Sequence, residues 1–389
     1  MNEVRIANIE DFKESGELWD SLVYKMKRPS IFCTWEWIYT WWEHFGRNYR
    51  PFILFIYEND NVAGILPLAK RNMVIEDGVM PARVLSFCGS NELYSDHIDI
   101  ICSHKDADSY ISVAMDFLAS KCGGWDVCHL SHLADDSCLV EWFSKDTSID
   151  KDIFEVSSAP FIPIRGSFDE YRMTSLSQHR RGVLKRARRD LYEKQKIQAY
   201  LDPVDCQNGM RELYALHKMR AESKKIKSTF GRPDLLKFHE KVAKLLNEKG
   251  WLRLYFLRNE EKPIAANYGF VFANRYFGYQ MGLDPAWESK SAGNVLLYET
   301  IEKMFKDQMV EFDFLRGDGG YKGFWTKESR TLSNVNIYNK KLWSRLFKST
   351  FCARRVIKGL VKRNWQLSRL LKKDFSDCSR MRGSGNPQE

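Results

Sequence analysis

Apolar and polar positions follow the same order in two separate stretches of the chain. In the first, PFILFIY (51–57), the polar turn ENDN and VAGILPL (62–68) predict two strands joined tightly. ARVLSFCG and HIDII continue the apolar pattern. Ile111, Ala114, Met115 and Leu118 then recur at i, i+3, i+4 and i+7, which predicts a helix, and WDVCHL closes the stretch as a strand. The later stretch opens on WLRLYFL, turns through RNEEK, and continues as IAANYGFVFA and RYFGYQM. A loop, GLDPAWESKSAGN, leads into a helix with Leu297, Ile301, Met304 and Phe305 on one face, and VEFDFLRG ends it. Strand, turn, strand, strand, helix, strand thus occurs twice, with Trp125-Asp126 in the place of Phe312-Asp313.

Helices precede the strands in both halves. FCTWEWIYTWWEHF sets Trp35, Ile38, Trp42 and Phe45 on a shared face, and the later half has Leu213 to Met219 and then Leu235, Phe238, Val242 and Leu245. Helices feeding a mostly antiparallel sheet, then a helix crossing to a last strand, make a layered α+β unit. The expected fold class is therefore α/β, a tandem duplication joined near Pro160 to Pro163. Its lobes are placed at 1–160 and 161–335, and a basic helical tail at 336–389.

A length of 389 residues also favours two domains, and 12 Trp with 44% hydrophobic residues supply large cores. No apolar run reaches the roughly 18 residues that a membrane span requires. The start, MNEVRIANIEDFKES, lacks the basic head and apolar stretch of a secretory signal. Nine scattered Cys without a CxxC pair read as reduced thiols, which points to the cytoplasm. His129 and His132 have no acid at ligand spacing, so no metal site is expected. The net charge of +9 becomes informative once located. Of 60 Lys and Arg, 12 fall in 340–373 with no acid among them, and the other 48 face 51 acids. That segment mixes its cations with Leu, Trp, Phe, Ile and Val. Such a helix can lie on an anionic membrane surface, here the inner face of the cytoplasmic membrane. It can equally dock on an acidic partner or on its own body.

TWEWIYTWWEHFG, AGILPLA, FCGSNELYSDHIDI, SLSQHRRGVLKRARRDL, SKSAGNVLLYE and FDFLRGDGGYKGFW occur in order over roughly residues 30 to 330. Together with the element order they resemble the GNAT acyltransferase fold, in the tandem form of the CelD-like, BioF-like acetyltransferases of cellulose biosynthesis. These are distantly similar to the FemABX aminoacyltransferases. The resemblance implies acetyl-CoA or another acyl-CoA as co-substrate, with no permanently bound cofactor. It implies a sugar or glycan acceptor in exopolysaccharide or envelope synthesis.

Transfer from a CoA thioester needs a cradle for the pyrophosphate, polarisation of the carbonyl, and removal of the acceptor's proton. Lys290, Ser291, Ala292, Gly293 and Asn294 precede a helix, where small residues and the helix dipole favour an anion. Gly293 is the only glycine there, a departure from the glycine-rich family loop, and an ordinary Ser/Asn-capped helix start reads the same. Gly278 and Gly282 permit close backbone approach along the strand that would carry the polarising N–H. The corresponding loop of the first half, SHKDADS, is acidic and suits an anion poorly, so the later lobe is expected to hold the donor.

Asp313 on its apolar strand and Asp318 in the GDGG turn are candidate bases, with Arg316 and Lys322 as ion-pair partners or anion contacts. Asp318 also reads as a plain turn acid. By resemblance Asp313 and Lys322 occupy recurring positions, and Asp96 in YSDHID would face the same cleft. Arg181, Lys185, Arg188 and Arg189 make a basic helical stripe similar to the linker helix of FemABX proteins. A net-acidic body argues against extensive nucleic-acid binding, leaving tRNA as the alternative donor and a non-catalytic scaffold of polysaccharide machinery as the third reading.

Overall fold

The computed structural model describes residues 2–75, 78–120, 124–201, 205–317, 320–358 and 360–361. The architecture is mixed α/β, mostly antiparallel, and built from two lobes. An eleven-stranded sheet runs through both of them. Its second-lobe half runs Gln198–Tyr200, Leu252–Asn259, Lys262–Phe272, Arg275–Leu283 and Glu311–Asp313. The long strand Lys151–Pro163 follows, then Ser329–Tyr338, Val127–Ala134, Ala82–Phe87, Leu68–Met73 and Arg50–Pro51. Each lobe contains one parallel contact, Ala82–Phe87 with Val127–Ala134 and Arg275–Leu283 with Glu311–Asp313. That is the internal repetition anticipated from the pattern.

Two details depart from it. VAGILPL reads as one strand, but the chain breaks at Pro67 into Asn61–Leu66 and Leu68–Met73, which belong to different sheets. Proline offers no N–H to a ladder, so it sits where the chain changes sheets. The second departure is an exchange. Ser329–Tyr338 comes late in the chain, yet it pairs along Val127–Ala134 of the first lobe as well as along Lys151–Pro163.

The Trp-rich helix Trp35–Phe45 joins the lobes. The pattern places Trp35 and Trp42 on its buried face; instead Trp37, Ile38, Trp41 and Phe45 are buried, while Trp35 and Trp42 pack at the margin. The helix is apolar nearly all round, so a single-face reading misjudges which side meets the second lobe. That side is set by Trp37, whose ring touches Phe238, Phe270 and Tyr279 edge-on at 5.2, 5.7 and 5.5 Å between centroids. The helix Cys206–Ser223 lies over Arg275–Leu283, and Gly282 makes this possible. A Cβ there would stand 2.6 Å from the Leu216 Cβ.

His239 is enclosed by Phe230, Phe238, Tyr268 and Tyr279. Burial pushes its imidazole down to about 3, and burial with neighbouring Arg316 pushes His132 down to about 3. Both folded values lie below the unfolded one of about 6.5, so the unfolded chain binds the extra protons. Their contribution is intact above about pH 6.5 and declines as pH falls, by at most about 1.4 kcal/mol per pH unit for each group. The urea midpoint is accordingly expected to fall from about pH 7 to about pH 5, and to fall less steeply in His239→Phe. An equal slope in that variant would remove His239 as a source.

Candidate active site

Strand Glu311–Asp313 is buried throughout and brings its two acids to the junction of the lobes. Arg28, from the loop after the second helix, donates from Nη2 to Glu311 Oε1 and to Asp313 Oδ2, both at 2.6 Å. Arg330, on the exchanged strand, pairs with Glu311 and lies over the Phe161 ring at 3.7 Å. His97 Nε2 stands 3.0 Å from Asp313 Oδ2, and the Leu315 N–H donates to Asp313 Oδ1 at 2.7 Å. His97 and Leu315 take φ of 60° and 58°. Two non-glycine residues in the left-handed region beside one carboxylate mark a site whose geometry the surroundings impose.

The electrostatics separate Asp313 from Asp96, which the resemblance places at one cleft. Burial alone would raise Asp313, but His97, Arg28 and Arg330 outweigh it and hold the carboxyl below its ordinary range. The surroundings of Asp313 thus favour its charged form. Asp96 is also fully buried, and there burial dominates and pushes the carboxyl up, against Arg316 and His97. Its Oδ2 accepts the Arg316 N–H at 2.7 Å, while Oδ1 has no hydrogen-bond partner and lies 3.4 Å from Arg316 Nε. Arg316 also covers Tyr94, 4.7 Å from its ring. Lys322 is buried and turns back to donate to the carbonyls of Leu315 and Arg316, at 2.9 and 2.7 Å, so it ties down this loop. Asp318 lies outside the described residues. The structure thus brings Asp96, Asp313, Arg316 and Lys322 together around one loop.

A cavity opens on the far side of the same strand. Arg275–Leu283 and Glu311–Asp313 pair only from Arg275 to Phe277 and then part. In the gap, Tyr268 pairs with Gln280 and Gly269 with Gly278, so Tyr279 is an extra residue in a β-bulge, outside the antiparallel ladder. Gly269 is required there, because a Cβ would stand 2.5 Å from Tyr276 Oη and 2.6 Å from the Phe277 carbonyl. Arg220, Asn267, Tyr279, Met281, Leu297 and Tyr321 are among the lining residues. Asn267 donates to Thr300 at 2.9 Å, while its Oδ1 is buried without a partner.

Helix Ala292–Lys306 begins beside this cavity: a Cβ on Gly293 would meet Met281 Cε at 3.6 Å. Ser291 takes φ of 59° at its N-cap and makes no side-chain capping bond. Lys290 stands over Trp287, 4.7 Å from its ring. Met281 and Leu297 thus line the cavity, and Gly293 lies next to it through Met281, whereas Lys290 is turned onto Trp287. Gly282 itself is taken up by packing against Leu216. Sequence reasoning misses Arg28, Glu311 and Arg330, whose roles arise from three distant segments, and Arg220 and Asn267, which carry no motif. The Gly269 and Gly278 pair on adjacent strands is the signal that marks the bulge.

With this geometry in place, the comparisons are coherent. Residues 178–323 match an acetyltransferase (GNAT) domain. The structure is similar to the crystal structure of FemX, with a TM-score of 0.59 and 10% identity over 88% of this chain and 98% of that one. It is also similar to the C-terminal domain of a candidate lysylphosphatidylglycerol synthetase from Agrobacterium fabrum, with a TM-score of 0.53 and 10% identity over 86% of this chain and 94% of that one. A conserved protein of unknown function from Bacteroides thetaiotaomicron follows, with a TM-score of 0.53 and 9% identity over 87% and 100% of the two chains. At such identities the likeness is one of fold. No curated protein sequence matches.

Replacing Asp313 by Asn leaves Arg28 and Arg330 short of a buried countercharge and should lower stability by about 3–5 kcal/mol. Denaturant unfolding checks this, and Arg28→Met combined with Asp313→Asn should show a coupling above about 1 kcal/mol in a double-mutant cycle. Because Asp313 is depressed in the folded state, its contribution is present above about pH 4 and vanishes as pH falls through the folded value.

Proposed function

We propose that this protein is an acyl-CoA-dependent acyltransferase whose donor thioester lies in the cavity between the parting strands. The observation that carries the reading is the bulge at Tyr279 in that cavity, beside the N-terminus of helix Ala292–Lys306. A GNAT domain over 178–323 supports the donor class, an acyl-CoA. The pyrophosphate of the carrier would be held by the first N–H groups of that helix with Lys290, and the carrier's pantetheine arm would pass Met281 and reach Asn267. Residues 161–335 are the donor lobe in this reading and 1–160 the acceptor side, which meet at Asp313.

The chemistry follows from the placement. An acceptor amine or hydroxyl attacks the thioester carbonyl, the new C–N or C–O bond forms, the C–S bond breaks, and the proton lost by the acceptor passes on to the leaving sulfur, so that CoA departs as thiol. A backbone N–H of the bulge at Tyr279 would donate to the developing oxyanion, a contribution of several kcal/mol when preorganised. Asp96 takes the acceptor's proton: burial raises its carboxyl, and Oδ1 has no hydrogen bond to lose. Asp313, Arg316 and Lys322 position the loop that carries this pair. The acceptor is read as a sugar or glycan precursor and the acyl group as acetyl, on the family resemblance of the sequence. The basic tail, 340–373, would keep the enzyme at the inner face of the cytoplasmic membrane.

Aminoacyl transfer from tRNA is the second reading. It is favoured by a groove along helix Gln178–Arg189, lined by Arg181, Lys185, Arg188 and Arg189. RNA that copurifies and is removed by RNase would support it.

Acetyl-CoA should raise the melting temperature, and Lys290→Ala or Arg220→Ala should weaken its binding roughly tenfold in calorimetric titration. Asp96→Asn should keep that affinity and lose about a hundredfold or more in kcat. Absence of any CoA-dependent shift in the wild type would remove the donor assignment, and an unimpaired kcat would remove Asp96 from proton transfer.

A further inference from the structure

The first lobe carries a basic groove that acyl transfer does not use. Arg47, Arg50, Lys70, Arg71 and Arg83 line it with Asn72. Arg71 faces Glu92 at 3.6 Å and Arg83 is bound by Asp126, so those two are neutralised. Arg47, Arg50 and Lys70 have no acidic partner within 4 Å among the described residues. Three uncompensated cations in one recess make an anion site of a kind the charge balance of the body conceals.

Asn72 and Arg83 also line the neighbouring recess, which Trp343 closes on its far side. Trp343 lies in the first turn of a helix over 342–358. Phe347 and Phe351 fix that helix to the lobe against Ile75, Ala82, Val84 and Val127. With this face docked, the opposite face is turned outward. Leu342, Leu346, Ile357 and Leu360 are 74%, 48%, 60% and 56% exposed. Their spacing puts them on one stripe of a helix, bordered by Arg345 and Arg354. The apolar stripe therefore belongs to a helix whose Trp343 borders the recess next to the groove of Arg47, Arg50 and Lys70, a recess that Asp126 also lines. No helix among the described residues is long and apolar enough to cross a membrane.

We propose that this face docks on an anionic phospholipid surface, the stripe entering the headgroup layer and the lipid phosphates seating among Arg47, Arg50 and Lys70. Apolar insertion flanked by cations is the chemistry of interfacial helices, and each surface cation adds to attraction by anionic lipid. The inference rests on reading the tail as a membrane contact and adds to it a headgroup site on the first lobe. It does not depend on acyl transfer. Among the described residues, the lobe is not the cover for the stripe, because Phe347 and Phe351 already make that contact.

Cosedimentation of the full chain with vesicles of phosphatidylcholine alone, and with vesicles containing phosphatidylglycerol, tests it. Binding is expected only where phosphatidylglycerol is present, and it should weaken as salt rises. Arg50→Glu with Lys70→Glu, and separately Leu346→Glu with Ile357→Glu, should each reduce bound protein roughly tenfold or more. Groove variants that bind like the wild type would overturn the headgroup site while leaving the tail contact standing. Equal binding to both vesicles, or binding to neither, would overturn the whole face, as would retention on RNA without vesicle binding. Thermal-shift titration with acetyl-CoA on the same samples reads the acyl-transfer proposal independently.

Discussion

The carboxylate of Asp313 sits where the two lobes meet, and its surroundings are arranged to keep it charged. Arg28 comes from the beginning of the chain, His97 from the middle of the first lobe, and Arg330 from the strand the second lobe lends to the first. None of these segments has a local reason to approach the others. A buried charge without partners is costly, whereas one flanked by two guanidinium groups, an imidazole and a backbone N–H is tolerated only in a single arrangement. The junction is therefore specified by electrostatics at its centre and by aromatic packing around Trp37 at its side. Strain at His97 and Leu315 follows, because the backbone adapts to the carboxylate.

That arrangement has two faces with different tasks. Toward the first lobe, the loop after Asp313 presents Arg316 to Asp96, and burial there keeps a carboxyl closer to neutral. Toward the second lobe, the same strand ends early, and its parallel neighbour continues alone with an extra residue at Tyr279. A charge hub and an opening in the sheet are thus separated by one short strand. An acid strand that is buried, brief and parallel to a longer one serves both.

Much of this was legible in the sequence. The doubled order of strands and helices is written in apolar periodicity, and the structure keeps it in both lobes. The loop 313–322 was visible because charges beside glycines are conspicuous on an apolar background. The partners of its charges were not, because Arg28 lies about 285 residues from Asp313 and no local pattern encodes that contact. The direction of the two proton affinities was also hidden, since it depends on which cations burial brings near each acid. Helix 35–45 shows a different failure. With aromatics on every side, periodicity cannot choose a face, and the second lobe makes the choice.

The exchanged strand has a consequence for how the molecule is made. Ser329–Tyr338 lies between Val127–Ala134 and Lys151–Pro163, so the sheet of the first lobe has a gap until that segment arrives. During synthesis from the N-terminus, the chain must emerge as far as Tyr338, most of its 389 residues, before the first lobe can finish folding. A nascent chain in that interval exposes two unpaired edges, the surfaces that chaperones hold and that aggregation exploits.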